Sequence, residues 1–173
     1  MFLDNDKAEF KYYEDELLQM IELPYKGEEM SMLILLPADY SIAELESKLS
    51  LENLNKWKSE MKERKIDVYL PRFTFETKYF LPEALKNMGM SKAFIPFEAD
   101  FSGMDGSDLL YISDIIHQAF VEVNEEGTEA AAATAVMMAL AAMPNYFNAN
   151  HPFIFMIQQN DNILFMGKVV DPR

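Results

Sequence analysis

Two histidines, His117 and His151, make up the whole imidazole content of this 173-residue sequence. A Ser-His-Asp hydrolase needs one of them beside a serine nucleophile, with a carboxylate behind the ring. No Gly-x-Ser-x-Gly elbow is present to hold such a serine. His117 shares a strand face with Ala119, Val121 and Val123, so it reads as a core histidine satisfied by a hydrogen bond. His151 stands before Pro152 in a loop and reads as structural. Asp105-Gly106 has the acidic-glycine pair of a calcium loop. The two acidic positions required ahead of it hold Phe101 and Gly103, so the pattern fails. With no cysteine there is no thiolate metal site and no disulfide. Many carboxylates occur, but no spacing among them selects a catalytic pair. The expectation is a protein that is not an enzyme, with no metal and no cofactor.

The unusual stretch is Glu125-Glu126-Gly127-Thr128-Glu129-Ala130-Ala131-Ala132-Ala133-Thr134-Ala135. On propensity alone it is an alanine-rich helix, alanine being the best helix former. Two features argue otherwise. Residues 130–143 show no amphipathic stripe, and the segment lies between a strand pattern and the breaker Pro144-Asn145. The alternative is a segment able to become a strand inside a sheet. A central strand is covered on both faces, so large or charged side chains there must be buried at a cost. As a strand, this segment puts Thr128, Ala130, Ala132, Thr134 and Val136 on one face. Glu129, Ala131, Ala133 and Ala135 fall on the other. Nearly every position is small, and Gly127 has the φ/ψ freedom of a hinge.

The elements around this stretch can be read from pattern. Residues 30–36 (Met-Ser-Met-Leu-Ile-Leu-Leu) form a continuous apolar run ended by Pro37, which suits a buried strand. Residues 17–23 alternate loosely up to Pro24, and 25–29 form a hairpin connection. Ser41-Ile42-Ala43-Glu44 is a capping box that opens a helix carrying Ile42, Leu45 and Leu49. Leu51, Leu54, Trp57 and Met61 predict a second helix. Ile66, Val68 and Leu70 predict a strand reaching Pro71 and on through Phe73 and Phe75. Pro82 opens a third helix, with Leu85 and Met88 inward and Gly89 as terminator. Residues 101–108 read as a loop and 112–124 as a strand. Residues 153–157 and 163–170 read as two strands joined by a turn at 158–162. Strands and short helices are segregated, not alternating, which defines an α+β class. No repeat or linker divides the chain.

Composition narrows the partners. A formal net charge of −14 argues against nucleic acid, whose phosphates require a basic face. The longest uncharged apolar run, 130–142, is shorter than the ~20 residues of a membrane span, so no membrane is expected. The first seven residues do not form a signal peptide, and no Asn-x-Ser/Thr sequon occurs.

The run from Glu125 to Ala135 resembles the hinge of inhibitory serpins. Other segments are similar to the same family. Phe147-Asn148-Ala149-Asn150-His151-Pro152-Phe153 resembles the stretch after its reactive loop. Residues 163–172 (Ile-Leu-Phe-Met-Gly-Lys-Val-Val-Asp-Pro) resemble its last strand. Glu22-Leu23-Pro24-Tyr25-Lys26-Gly27 and Leu35-Leu36-Pro37 also fit. The resemblance covers residues 1–173 as the carboxy-terminal part of a single serpin domain, with a reactive loop at about 125–146. It implies the serpin fold, mostly antiparallel sheets with short helices. It also implies a suicide inhibitor of serine proteases, cleaved in the loop, trapped as an acyl-enzyme and inserted into the main sheet.

The resemblance places the scissile bond at Ala141-Ala142, with Leu140 as the alternative primary residue. Alanine suits an elastase-like protease and leucine a chymotrypsin-like one. No Arg or Lys lies between Gly127 and Asn150, which argues against a trypsin-like target. His117 matches a family histidine that acts as a structural switch beneath the main sheet. The implied partners are a serine protease and an amino-terminal half of the same protein. The expected setting is extracellular, the alternative cytoplasmic. A different reading keeps the fold and makes the chain a non-inhibitory binding or structural module.

Overall fold

The computed structural model describes residues 2–3, 9–27, 29–124 and 146–172. Its elements in chain order begin with strands β1 (Phe2–Leu3), β2 (Phe10–Glu14), β3 (Leu18–Pro24) and β4 (Met30–Pro37). Helices α1 (Ile42–Lys48) and α2 (Leu51–Glu60) follow, then β5 (Lys62–Arg64), β6 (Asp67–Tyr69) and β7 (Phe73–Phe80). Next come α3 (Pro82–Asn87), a single 3₁₀ turn (Lys92–Phe94), α4 (Ser102–Asp105) and β8 (Ile116–Val123). The chain closes with β9 (Tyr146–Asn148), β10 (Phe153–Gln159) and β11 (Asn162–Val169). They fall into two compact units: Met1–Phe73 with Val123–Arg173, and Thr74–Glu122.

The first unit is built on a six-stranded sheet in the order β11-β10-β4-β3-β2-β5, every pair antiparallel. The uninterrupted apolar run of β4 follows from its central place, where both faces are covered. On one face, Ile154, Leu35 and Met20 lie in register across β10, β4 and β3. Leu45 of α1 and Leu54 and Trp57 of α2 pack into the same cluster. On the other face Phe155, Ile34 and Ile21 form the corresponding buried row, and the Phe73 ring lies 5.5 Å from that of Phe155.

Both helices of this unit start as their sequences direct. Ser41 caps α1 by accepting from the Glu44 amide at 3.3 Å, and Ser50 caps α2 by accepting from Asn53 at 3.1 Å. Such a cap contributes roughly 1 kcal/mol. The hairpin between β3 and β4 closes where expected, the Tyr25 amide donating to the Met30 carbonyl at 2.9 Å.

At one end of the helix-covered face the core turns polar. Gln158 and Ser31 are buried there. The Gln158 amide donates to Ser31 Oγ at 3.0 Å and to Glu22 Oε1 at 3.2 Å. The Ser31 hydroxyl donates to Glu22 Oε1 at 2.7 Å. Lys11 lies 3.1 Å from the other Glu22 oxygen, and Lys58 of α2 donates to Gln158 Oε1 at 3.1 Å. Each buried polar atom in the group has a partner, as low-dielectric surroundings demand.

A second, three-stranded sheet of the same unit runs β1-β6-β9, with β6 and β9 parallel. In the other unit β7 and β8 form a two-stranded sheet. The Leu81 amide donates to the Ile115 carbonyl at 2.9 Å, and α3 ends at Gly89 with φ +101°.

Several expectations are corrected. The strand foreseen across 66–75 is two strands, β6 and β7, in different sheets, broken at Leu70–Arg72 around Pro71. β5, Lys-Glu-Arg, is a wholly exposed edge strand with no hydrophobic signature. Met88 does not point inward but is 82% exposed. The 101–108 loop contains the short helix α4, which Gly106 terminates at φ +76°. The turn between β10 and β11 is only Asn160-Asp161, both at positive φ, the geometry of a two-residue hairpin turn.

Candidate functional site

The predicted hinge (Glu125, Glu126, Gly127, Thr128, Glu129, Ala130, Ala131, Ala132, Ala133, Thr134, Ala135), the scissile pair Ala141-Ala142 and the alternative Leu140 lie outside the described residues. Their two flanks are described, one in each unit.

The leading flank is β8. Its last turns of alternation bury Val121 and Val123, while Ile116 and Phe120 face outward. The Gln118 side-chain amide donates to the Glu76 carboxylate of β7. His117 corrects the sequence reading. It is exposed, and its ring stacks with Tyr79 of β7 at a centroid distance of 6.4 Å and an interplanar angle of 20°. It is therefore not a core histidine of this unit. Period-two alternation placed it correctly on the Ala119–Val121–Val123 face, but burial begins only toward the end of the strand.

The trailing flank is β9, in register with β6 as Asp67↔Tyr146, Val68↔Phe147 and Tyr69↔Asn148. Phe147 and Val68 are fully buried and hold the strand in place. Tyr146 and Asn148 point to the opposite face. The Ala149 amide donates to the Tyr69 carbonyl at 2.9 Å, which extends the pairing by one residue. His151 then locks the connection to β10. Its Nε2 lies 2.8 Å from the Pro37 carbonyl oxygen, its Nδ1 2.9 Å from Asn150 Oδ1, and its ring 3.9 Å from that of Tyr40. A carbonyl only accepts, so Nε2 carries a proton. The structural reading of His151 holds.

Beside this flank, within the same unit, is an open cleft of about 520 Å³ lined by Tyr12, Glu14, Asp15, Tyr40, Tyr146 and His151, among others. The Tyr12 hydroxyl donates to Glu14 Oε2 at 2.5 Å, and the Tyr13 hydroxyl to Asp15 Oδ2 at 2.7 Å. Burial, reinforced by the Glu14 carboxylate, pushes the Tyr12 phenol far above its ordinary pKa, so it stays a donor. Sequence reasoning missed this cleft because its walls come from three distant segments. The one local signal was an aromatic residue, Tyr146, directly after the small-residue loop.

Among the described residues no group of His, Asp and Glu could hold a metal ion, and no helix is long and apolar enough to cross a membrane.

Known proteins agree with this geometry. The family model described as Serpin (serine protease inhibitor) matches residues 1–172. The leukocyte elastase inhibitor of Xenopus tropicalis is 43% identical over 180 residues, covering 99% of this chain and 48% of the relative. Human serpin B3 is 44% identical over 171 residues, 94% of this chain and 44% of the relative. An uncharacterised serpin-like protein of Thermococcus kodakarensis is 43% identical over 173 residues, 96% of this chain and 40% of the relative. The crystal structure of uncleaved ovalbumin superposes with a TM-score of 0.80 at 35% identity, covering 95% of this chain and 46% of that one. This chain belongs to the serpin family and has the carboxy-terminal portion of the serpin fold. It spans about half the length of the curated relatives it matches.

Proposed function

We propose that this chain carries the reactive half of a suicide inhibitor of serine proteases. The observation that supports it is the run of small residues from Gly127 to Ala135, directly after β8, a strand of the β7-β8 sheet. A protease serine Oγ attacks the Ala141 carbonyl carbon, and the peptide bond to Ala142 breaks. The serine proton passes through the protease histidine to the leaving amine, and an ester remains. The freed loop then adds as a strand beside β8 and carries the protease with it before water can cleave the ester. Thr128, Ala130, Ala132 and Thr134 fit such a place because they bury little volume and no charge. Ala141 suits an elastase-like pocket, and Leu140 in the same role suits a chymotrypsin-like one. His117 is proposed as a switch at the β7-β8 sheet. β8 supplies one neighbour for the inserted loop, and an amino-terminal half of the protein would supply the other.

The test is to mix the chain, joined or reconstituted with an amino-terminal half, with an elastase and resolve the products by denaturing electrophoresis. A covalent adduct is expected, together with a fragment beginning at Ala142 that separates only under the denaturing conditions of the gel. Cleavage without any adduct, for elastase- and chymotrypsin-like proteases alike, would overturn the proposal. It would favour a non-inhibitory binding module, a reading also supported by the apolar edge strand β11, where Ile163, Leu164, Phe165 and Met166 are all exposed.

A further inference from the structure

From the polar end of the six-stranded sheet we infer that Gln158 is a register lock. With Ser31, Glu22 and Lys58 it holds the carboxy-terminal hairpin β10–β11 in one alignment on β4.

The apolar pattern of the two strands does not fix that alignment. Register is strongly specified where one strand face is apolar and the other polar, because a slip of one residue turns every side chain over. Here both faces of both strands are apolar. Ile154, Phe155, Met156 and Ile157 lie opposite Leu35, Ile34, Leu33 and Met32, and all but Ile157 are buried. A slide of two residues, about 7 Å along the strand, would keep every face and set apolar against apolar again.

The next pair breaks this degeneracy. Gln158 lies opposite Ser31, and both are buried. The Gln158 side-chain nitrogen donates to Ser31 Oγ at 3.0 Å and to Glu22 Oε1 at 3.2 Å. Its Oε1 accepts from Lys58 Nζ at 3.1 Å. Lys58 also donates to the Asp161 carboxylate in the turn of the same hairpin. The amide thus meets acceptors on the strand side and a donor on the helix side, which a slipped strand would not offer. Moved two residues one way, Gln158 would face Leu33; moved the other way, Met156 would face Ser31. Either slip strands buried hydrogen-bonding groups, which costs more than a polar pair adds over an apolar one. The same asymmetry lets a buried polar group specify alignment even where it adds little stability. At the other end of β4, the contact of His151 with the Pro37 carbonyl acts as a second pin. Residues 149–152 alone separate β9 from β10, so the alignment of β10 also constrains the trailing flank.

The test is disulfide trapping in the chain as it stands, whose lack of cysteine makes each engineered pair unambiguous. Met30→Cys with Gln159→Cys reports the observed alignment. Met32→Cys with Gln159→Cys, and Met30→Cys with Ile157→Cys, report slides of two residues in either direction. In the observed alignment these two pairs are diagonal, beyond the Cα separation of about 7 Å that a disulfide can span. Each pair is placed in the wild type, in His151→Ala, and in His151→Ala with Gln158→Leu. The oxidised fraction is read by peptide mass, and Trp57 emission monitors folding. The wild type and His151→Ala should close the first pair alone. With Gln158→Leu added, the shifted pairs should rise about ten-fold. Glu22→Gln with His151→Ala, which keeps an acceptor for Gln158, should again close the first pair alone. Should Gln158→Leu fail to fold, Ser31→Ala in the same background decides in its place, with a smaller rise expected. No shifted pair in the deciding variant means that apolar shape alone sets the register, and overturns the lock. Shifted pairs in the wild type overturn it as well. Shifted pairs in His151→Ala alone assign the register to His151 and remove Gln158 from that role.

Discussion

His151 Nε2 sits 2.8 Å from the carbonyl oxygen of Pro37, a contact that joins the segment after β9 to the end of the central strand β4. The Tyr40 ring covers the imidazole. Replacing His151 by Ala is expected to cost about 1–3 kcal/mol, because a partly buried carbonyl loses its donor and a ring contact disappears. Urea denaturation measures it. His151→Gln, which restores a donor, should recover part of the loss.

Glu22 predicts a pH dependence. Burial raises its carboxyl pKa, but the Ser31 hydroxyl, the Lys11 ammonium and the Gln158 amide together bring it below the ordinary value of 4.5. A group depressed on folding contributes stability that is fully present above its unfolded value and is lost as pH falls through the folded one. Glu22→Gln should therefore cost about 1–3 kcal/mol near neutral pH. The gap from wild type should close as pH drops below the ordinary carboxylate value. Denaturation midpoints from neutral to acid pH check the convergence, and a gap of constant size would contradict it.

Trp57 is the one tryptophan in the sequence and is 5% exposed under the helix-covered face of the sheet. Trp57→Ala should destabilise by about 3–5 kcal/mol through the cavity it leaves. In the wild type, its emission should shift to the red as α2 detaches, so fluorescence and far-UV dichroism should report one transition for this unit.

Thr128→Arg tests the insertion device. A guanidinium carried into a sheet interior costs several kcal/mol unless it escapes to water. Insertion should slow below hydrolysis of the ester, and the variant should be cut at the same bond without trapping the protease. Electrophoresis would show cleaved inhibitor in place of the adduct. Adduct yields equal to wild type would argue that this position stays outside the sheet.

Much of the first unit was legible because its signals are local. The apolar run of β4 needs no partner to be recognised, and Ser41 with Glu44 writes its own cap. The run of small residues from Gly127 to Ala135 is conspicuous in composition, and it carries the proposed function because such a string is costly in a core and useful in an inserting strand. The remainder depends on tertiary context. β5 is a strand because β2 offers Phe10, Lys11 and Tyr12 as partners, not because Lys-Glu-Arg favours one. β11 is apolar, yet Met166 is 61% exposed, and its pattern alone says nothing about what lies over it. His117 was assigned to the core by alternation, which gives the face but not the depth. The cleft at Tyr146 has walls from residues more than 100 positions apart, as the contact between His151 and Pro37 shows, and no window of sequence contains it.

The position of β10 has one more consequence. It lies between β4 and the edge strand β11 in the six-stranded sheet, yet follows the proposed reactive loop in the chain. A cut between Ala141 and Ala142 would turn one polypeptide into two, with β9, β10 and β11 all on the shorter piece. With no cysteine to tether it, that piece would persist as a tightly held peptide subunit. The cleaved protein would then be a heterodimer kept together by ladder hydrogen bonds and interlocked side chains alone.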